Sequence, residues 1–129
     1  MNMLPDDAVD RIAEGCRNIG KICQNQGIQQ WEVVATQSYG HSIDIEAGKI
    51  SLAAGGGEGG YGIRVVEDGR FGYAYLVDLG SADYAIQQAR DIAKASPSVA
   101  GFLLPSEQKA DKVAGLFDKN ILSIGPEDL

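Results

Sequence analysis

Few side chains in this 129-residue chain can do chemistry, and they are easily named: one histidine, His41, and two cysteines, Cys16 and Cys23. A zinc site takes three or four protein ligands, and neither a second histidine nor a cysteine stands near His41 to complete one. Beside Gly40, between two apolar stretches, His41 suits a solvent-exposed turn. Nucleophilic catalysis needs a serine or cysteine held against a base that a third group orients, and a single histidine leaves little to build this with. Cys16 and Cys23 lie seven positions apart in a segment with helical periodicity. A rise of about 1.5 Å per residue puts their Cα atoms about 10 Å apart, beyond the reach of about 7 Å that a disulfide tolerates. They are expected to be reduced, mostly buried and inert, which points to a reducing compartment, the cytoplasm.

The run Gly55-Gly56-Gly57-Glu58-Gly59-Gly60 has the spacing of a phosphate-binding glycine loop. Its context argues against one. A dinucleotide loop follows a strand and opens a helix whose N-terminus holds the pyrophosphate, whereas an apolar strand pattern follows here and Glu58 sets negative charge where phosphate would sit. The Gly-Lys-Ser/Thr of a P-loop is absent. A flexible or bulged connection between strands is the expectation. The carboxylates Asp44, Glu46, Glu58, Glu67, Asp68 and Asp78 make a glycosidase pair only if folding sets two of them across a cleft at about 5–9 Å. Most acidic residues are simply solvated. No catalytic, cofactor-binding or metal-binding residue is assigned from the residues themselves.

The elements that position these groups follow from periodicity. Val9, Ile12, Cys16, Ile19 and Cys23 alternate three and four apart, after Pro5 and with Asp6, Asp7 and Asp10 at the positive end of the helix dipole. This predicts an amphipathic helix ending near Gly27. Gly15 and Gly20 each weaken it by up to about 1 kcal/mol relative to alanine, so close packing on a sheet has to hold it. From Trp31 the period becomes two. Trp31, Val33 and Ala35, then Ile43 and Ile45, then Ile50 and Leu52 across a turn at Ala47-Gly48-Lys49 predict three strands. Residues 61–66 and 71–76 form a further hairpin around Asp68-Gly69. Ser81 can cap a second helix whose stripe is Ala85, Ile86, Ala89, Ile92 and Ala93, stopped by Ser96-Pro97. The expected fold is therefore α+β: a mostly antiparallel sheet of about five strands packed against an amino-terminal helix and a second helix. Residues 1–97 form that domain, and residues 98–129, with short apolar pieces at 102–104 and 116–117, form an extended arm or linker toward a carboxy-terminal domain.

Composition narrows the function classes. Hydrophobic residues at 44%, aromatic at 7% and charged at 22% describe a globular chain, not a disordered one. The formal net charge of -7, with basic residues scattered among acids, disfavours direct nucleic-acid binding. Neither a leader-like basic-then-apolar start nor an apolar run long enough to cross a membrane occurs.

The run Gly60-Tyr61-Gly62-Ile63-Arg64-Val65, then Glu67-Asp68-Gly69-Arg70-Phe71-Gly72-Tyr73-Ala74-Tyr75 and Asp78-Leu79, closely resembles the central hairpin of TldD/PmbA-family amino-terminal domains. The flanking order also agrees over roughly residues 8–129, with a helix at 84–95 and a downstream Leu104-Pro105. The tail Val113-Ala114-Gly115-Leu116-Phe117-Asp118-Lys119, ending in Pro126-Glu127, is more similar to the PmbA (TldE) branch. The resemblance implies a domain of a zinc metallopeptidase assembly that cleaves or matures peptides and was named as a modulator of DNA gyrase. In that family TldD carries a His-Glu-x-x-x-His zinc motif, and PmbA lacks it and pairs with TldD. No such motif lies in this chain, so no zinc ligand carries over. What carries over is a non-catalytic role at the peptide channel and subunit interface, with a TldD/PmbA-type partner subunit in a homo- or heterodimer and a peptide or unfolded protein as substrate. A standalone small binding module, or a fragment of the catalytic TldD-type subunit, are the alternatives.

Overall fold

A computed structural model describes residues 8–111 and 113–129. The order is α1 (Ala8–Asn25), β1 (Gln30–Glu46), β2 (Lys49–Glu67), β3 (Arg70–Leu76) and α2 (Ala82–Ala95), with short 3-10 turns at Leu79–Ser81, Lys119–Ser123 and Pro126–Asp128. The three strands make one antiparallel sheet in the order β1-β2-β3. Pro5, Asp6 and Asp7, expected at the start of α1, lie outside the described residues; Asp10 does sit in its first turn.

The sheet has three strands where five were expected, because the two long ones absorb the segments predicted as separate. β1 runs through Ser38, Gly40 and His41 without a break, and β2 runs through residues 55–60. The pairs Thr36↔Gly60, Gln37↔Gly59, Ser38↔Glu58, Tyr39↔Gly57, Gly40↔Gly56 and His41↔Gly55 form a continuous ladder. The expected flexible or bulged connection is thus a strand, and His41 is a strand residue, not a turn residue. Two constraints overcome the poor strand propensity of glycine. The turn at Ala47-Gly48, with φ of 51° and 75°, fixes the register at one end. The packed body fixes it at the other. The register shift lies elsewhere, between Asp44 and Ile45.

The predicted Asp68-Gly69 turn is present, both residues having positive φ. Gln29 braces it, accepting from the Asp68 backbone N–H at 3.0 Å and donating to its carboxylate at 3.2 Å.

Both helices cover one face of the sheet. On that face Tyr61, Ile63 and Val65 of β2 pair with Ala35, Val33 and Trp31 of β1 and with Leu76, Ala74 and Gly72 of β3. Ile19, Cys23, Ile63, Val65, Ile86 and Ala89 are completely or almost completely buried there. Each large aliphatic side chain among them contributes roughly 1.5–3 kcal/mol. Glycines set how closely the helices approach. A Cβ on Gly15 would strike the Tyr61 hydroxyl, one on Gly20 would lie 2.6 Å from the Trp31 ring, and one on Gly72 would strike the Ala89 carbonyl. Close packing against the sheet therefore does accompany the two helix glycines. α1 ends at Gly27 (φ 67°), where the Ile28 and Gly27 N–H groups donate back to Cys23 and Gln24 carbonyls. Arg70 closes α2 by donating to the Ser96 carbonyl at 2.6 Å and the Lys94 carbonyl at 3.3 Å.

Two stripe residues fall off their helix faces: Val9 is 71% exposed and Ile92 44%. Ala8 and Ala82 take buried places instead. Ser81 stands at the N-cap of α2 without a side-chain cap bond; it is Asp78 that caps, accepting from the Gly80 N–H at 3.1 Å at the start of the preceding 3-10 turn.

Candidate functional site

Past the helices, residues 36–60 continue as a two-stranded ribbon. His41 lies on its helix-side face with the imidazole over Gly55, where a Cβ would collide with Nδ1. Tyr39 meets it edge to face, with ring centroids 5.4 Å apart. The 3-10 turns near the carboxy terminus lie opposite, leaving a cleft of about 770 Å³ bounded by Tyr39, His41, Lys119, Leu122, Ile124 and Glu127, among others. His41 Nδ1 is buried and has no hydrogen-bond partner among the described residues. A base in a catalytic relay has its second nitrogen oriented by another group, and among the described residues none orients His41 Nδ1.

Among the described residues, no helix lies on the second face of the sheet. Val34, Tyr73 and Tyr75 are exposed there by 53%, 63% and 61%, around a shallow depression of about 490 Å³ floored by Gly62. Tyr75 reaches over Gly60, which has no room for a Cβ beneath the ring. The Arg64–Glu32 ion pair borders the patch. At the turn end the arm closes this face: Phe102 stacks on Phe71 with centroids 5.3 Å apart, the Val99 N–H donates to the Gly69 carbonyl at 2.8 Å, and the Leu104 N–H donates to Gln30 Oε1 at 2.8 Å. The arm is thus anchored as far as Leu104, while Leu116 and Phe117 remain exposed.

The carboxylates singled out in the sequence are dispersed. Glu67 receives two hydrogen bonds from Arg90, at 2.9 and 3.1 Å, and locks β2 to α2. Asp68 belongs to its turn and Asp78 to its cap. Glu58 accepts from Ser38 at 3.5 Å across the ribbon, and Asp44 and Glu46 are exposed near its tip. The described residues hold no group of three or more histidine, cysteine, aspartate or glutamate side chains arranged to hold a metal. Cys16 and Cys23 are both unpaired. Cys23 is fully buried and its thiol is pushed up to about 11 by desolvation; Cys16 is half-buried and raised for the same main reason. Neither is therefore a ready thiolate at neutral pH.

The exposed aromatic face was not singled out in the sequence. Its signal was present: Tyr73 and Tyr75 flank Ala74, so β3 is apolar on both faces, which a strand with one solvated face avoids. No helix of the described residues is long and apolar enough to cross a membrane.

The exposed second face, not a catalytic constellation, is the feature that stands out among the described residues. Residues 31–93, from the start of β1 to near the end of α2, match the family model described as PmbA/TldA metallopeptidase domain 1. No curated protein matches. Among solved structures, the crystal structure of TldE from Thermococcus kodakarensis superimposes with a TM-score of 0.75 at 18% identity, over 88% of this chain and 26% of that one. The chain thus spans about a quarter of the length of that relative. The matched segment, just under half of the chain, holds nearly all of the sheet, both turns and most of the second helix, and it supports a TldD/PmbA-family amino-terminal domain.

Proposed function

We propose that this domain is the non-catalytic amino-terminal part of a TldD/PmbA-type metallopeptidase assembly in the cytoplasm, where it helps form the peptide channel and the contact with a partner subunit. The observation that carries this reading is the apolar second face, with Val34, Tyr73 and Tyr75 exposed on strands inside the family-matched segment. Exposed apolar patches of this kind mark protein contacts more often than they decorate a free surface. In the assembly, zinc belongs to the catalytic TldD branch, and this domain supplies shape and backbone. The unpaired thiols are in keeping with a reducing compartment.

The test is association. Tyr73→Lys and Tyr75→Lys place charge at the centre of the face without touching the core. They should weaken binding to a TldD-type subunit at least about tenfold, as expected for central aromatic contacts, with circular dichroism and melting temperature unchanged. Association at full strength in both variants would reject the reading and favour a standalone binding module.

A further inference from the structure

We infer that the outer edge of β2, residues 49–60, is a docking edge for an extended cationic polypeptide strand, which adds antiparallel to β2 in line with β3. β3 pairs with β2 only from Tyr61 to Glu67, and among the described residues no strand pairs with the rest of that edge. Every second residue of a strand edge turns its N–H and C=O outward, so this stretch offers a long row of unused donors and acceptors. The usual protections of an edge are weak here. Residues 49–60 contain no proline, the ladder irregularity, which leaves Ser51 without a ladder partner opposite Asp44/Ile45, is confined to the tip, and five of the twelve residues are glycine, with no side chain to screen the backbone. Lys49 is the only cation among them. At the inner end, a groove of about 330 Å³ bounded by Gly57, Glu58, Gly59, Val77 and Ile12 opens beside the edge.

Charge selects the occupant. Asp44, Glu46 and Glu58 outnumber Lys49 on the ribbon, and the chain as a whole carries -7. A second copy of this acidic ribbon would bring like charges together, whereas a strand with lysine or arginine on alternate positions would set one opposite Glu58. Opposite-charge cross-strand pairs favour pairing and like charges oppose it. Main-chain bonding supplies the contact without regard to side chain, and the acidic rim supplies the preference.

This inference deepens the proposed role, but it concerns a different surface from the aromatic face, so the two can fail separately. The experiment titrates the full chain, labelled with nitrogen-15, with three synthetic decapeptides: alternating lysine and valine, alternating glutamate and valine, and the lysine–valine peptide N-methylated throughout. The lysine–valine peptide should shift the amides of residues 50–60 and bind at least tenfold more tightly than either of the others. Glu58→Lys should narrow or reverse the preference over the glutamate–valine peptide by about fivefold. Equal binding of the N-methylated peptide would mean simple charge attraction and overturn the inference. So would shifts centred on Val34, Tyr73 and Tyr75, an unchanged preference in Glu58→Lys, or no binding at millimolar peptide. Full-strength subunit association in the tyrosine variants with strand binding intact would instead reject only the earlier reading.

Discussion

β2 is one strand with two different halves. From Tyr61 to Val66 it is flanked by strands on both edges and covered by helices on one face, with Tyr61, Ile63, Val65 and Val66 buried. From Lys49 to Glu58 every residue is exposed, and among the described residues β1 is the only strand that borders it. The same backbone conformation is held by packing in the first half and by pairing alone in the second. A lone two-stranded ribbon is marginal in water, so the outer half depends on the inner half for its register. Global stability belongs to the body, and the ribbon belongs to the low-stability end of the molecule, where binding surfaces are commonly drawn from.

The sharpest way to break this comparison is to disrupt the body at its closest contact. Gly72 lets α2 rest directly on β3: an added Cβ would strike the Ala89 carbonyl and sit 2.5 Å from the Ala93 nitrogen. These are backbone atoms, which cannot swing aside as a side chain does. Gly72→Ala should therefore cost about 3 kcal/mol or more, at the top of the overpacking range, read as a fall in the urea midpoint. Ribbon amides should lose exchange protection together with those of α2. A change below about 1 kcal/mol would mean that the helix is free to lift and that the body is less rigid than its burial implies.

A middle-sized effect comes from Cys23, buried at the α1 contact with the core. Burial raises its folded-state pKa from 9.0 to about 11, so the fold favours the neutral thiol. That stabilisation is fully present below pH 9 and is lost as pH rises through 11. Two pKa units correspond to roughly 2–3 kcal/mol. Because lysines and tyrosines titrate in the same window, the readout is a difference: the stability of the wild type should fall more steeply between pH 9 and 11 than that of Cys23→Ala. Parallel curves would show that the thiolate is accommodated and that α1 opens locally. In the folded protein at neutral pH, Cys16 should react with a thiol reagent before Cys23.

The helices, their glycine contacts and the Asp68-Gly69 turn were legible because their causes are local. Ile19 and Cys23 announce a buried stripe by spacing alone, and Asp-Gly satisfies a tight turn by its own φ preferences. The ribbon was not legible for the opposite reason. Residues 55–60 hold a strand only because residues 36–41, some twenty positions earlier, lie beside them, and no window of sequence displays that partner. Val9 and Ile92 fit their helical patterns, but they sit at the margins of the stripes, and the sequence does not tell how wide the covering sheet is. The second face was not singled out either: alternation in β3 sets Tyr73 and Tyr75 opposite Ala74, but apolar residues on both faces of a strand do not tell which face a helix layer covers.

The smallest effect tests the ribbon itself, at two neighbouring glycines on opposite faces. Gly56 pairs with Gly40, and a Cβ built on either meets nothing within 4 Å. Its φ is not in the left-handed region, so alanine fits the conformation already present. Gly56→Ala should then stabilise the chain by about 0.4–1 kcal/mol, chiefly by restricting the unfolded state. Gly55 is different, because its Cβ would meet the imidazole of His41, which Tyr39 holds from one side and the carboxy-terminal turns face from the other. Gly55→Ala must displace that ring, and it should be destabilising by about 1 kcal/mol, an ordinary cost for a partly buried change. The pair therefore reads the two faces of one strand at adjacent positions, with chemical denaturation as the measurement. Opposite signs support a ribbon bare on one face and covered on the other. If Gly56→Ala instead costs as much as Gly55→Ala, something rests on the Gly40–Gly56 face, and the contrast between a packed body and an open ribbon fails there.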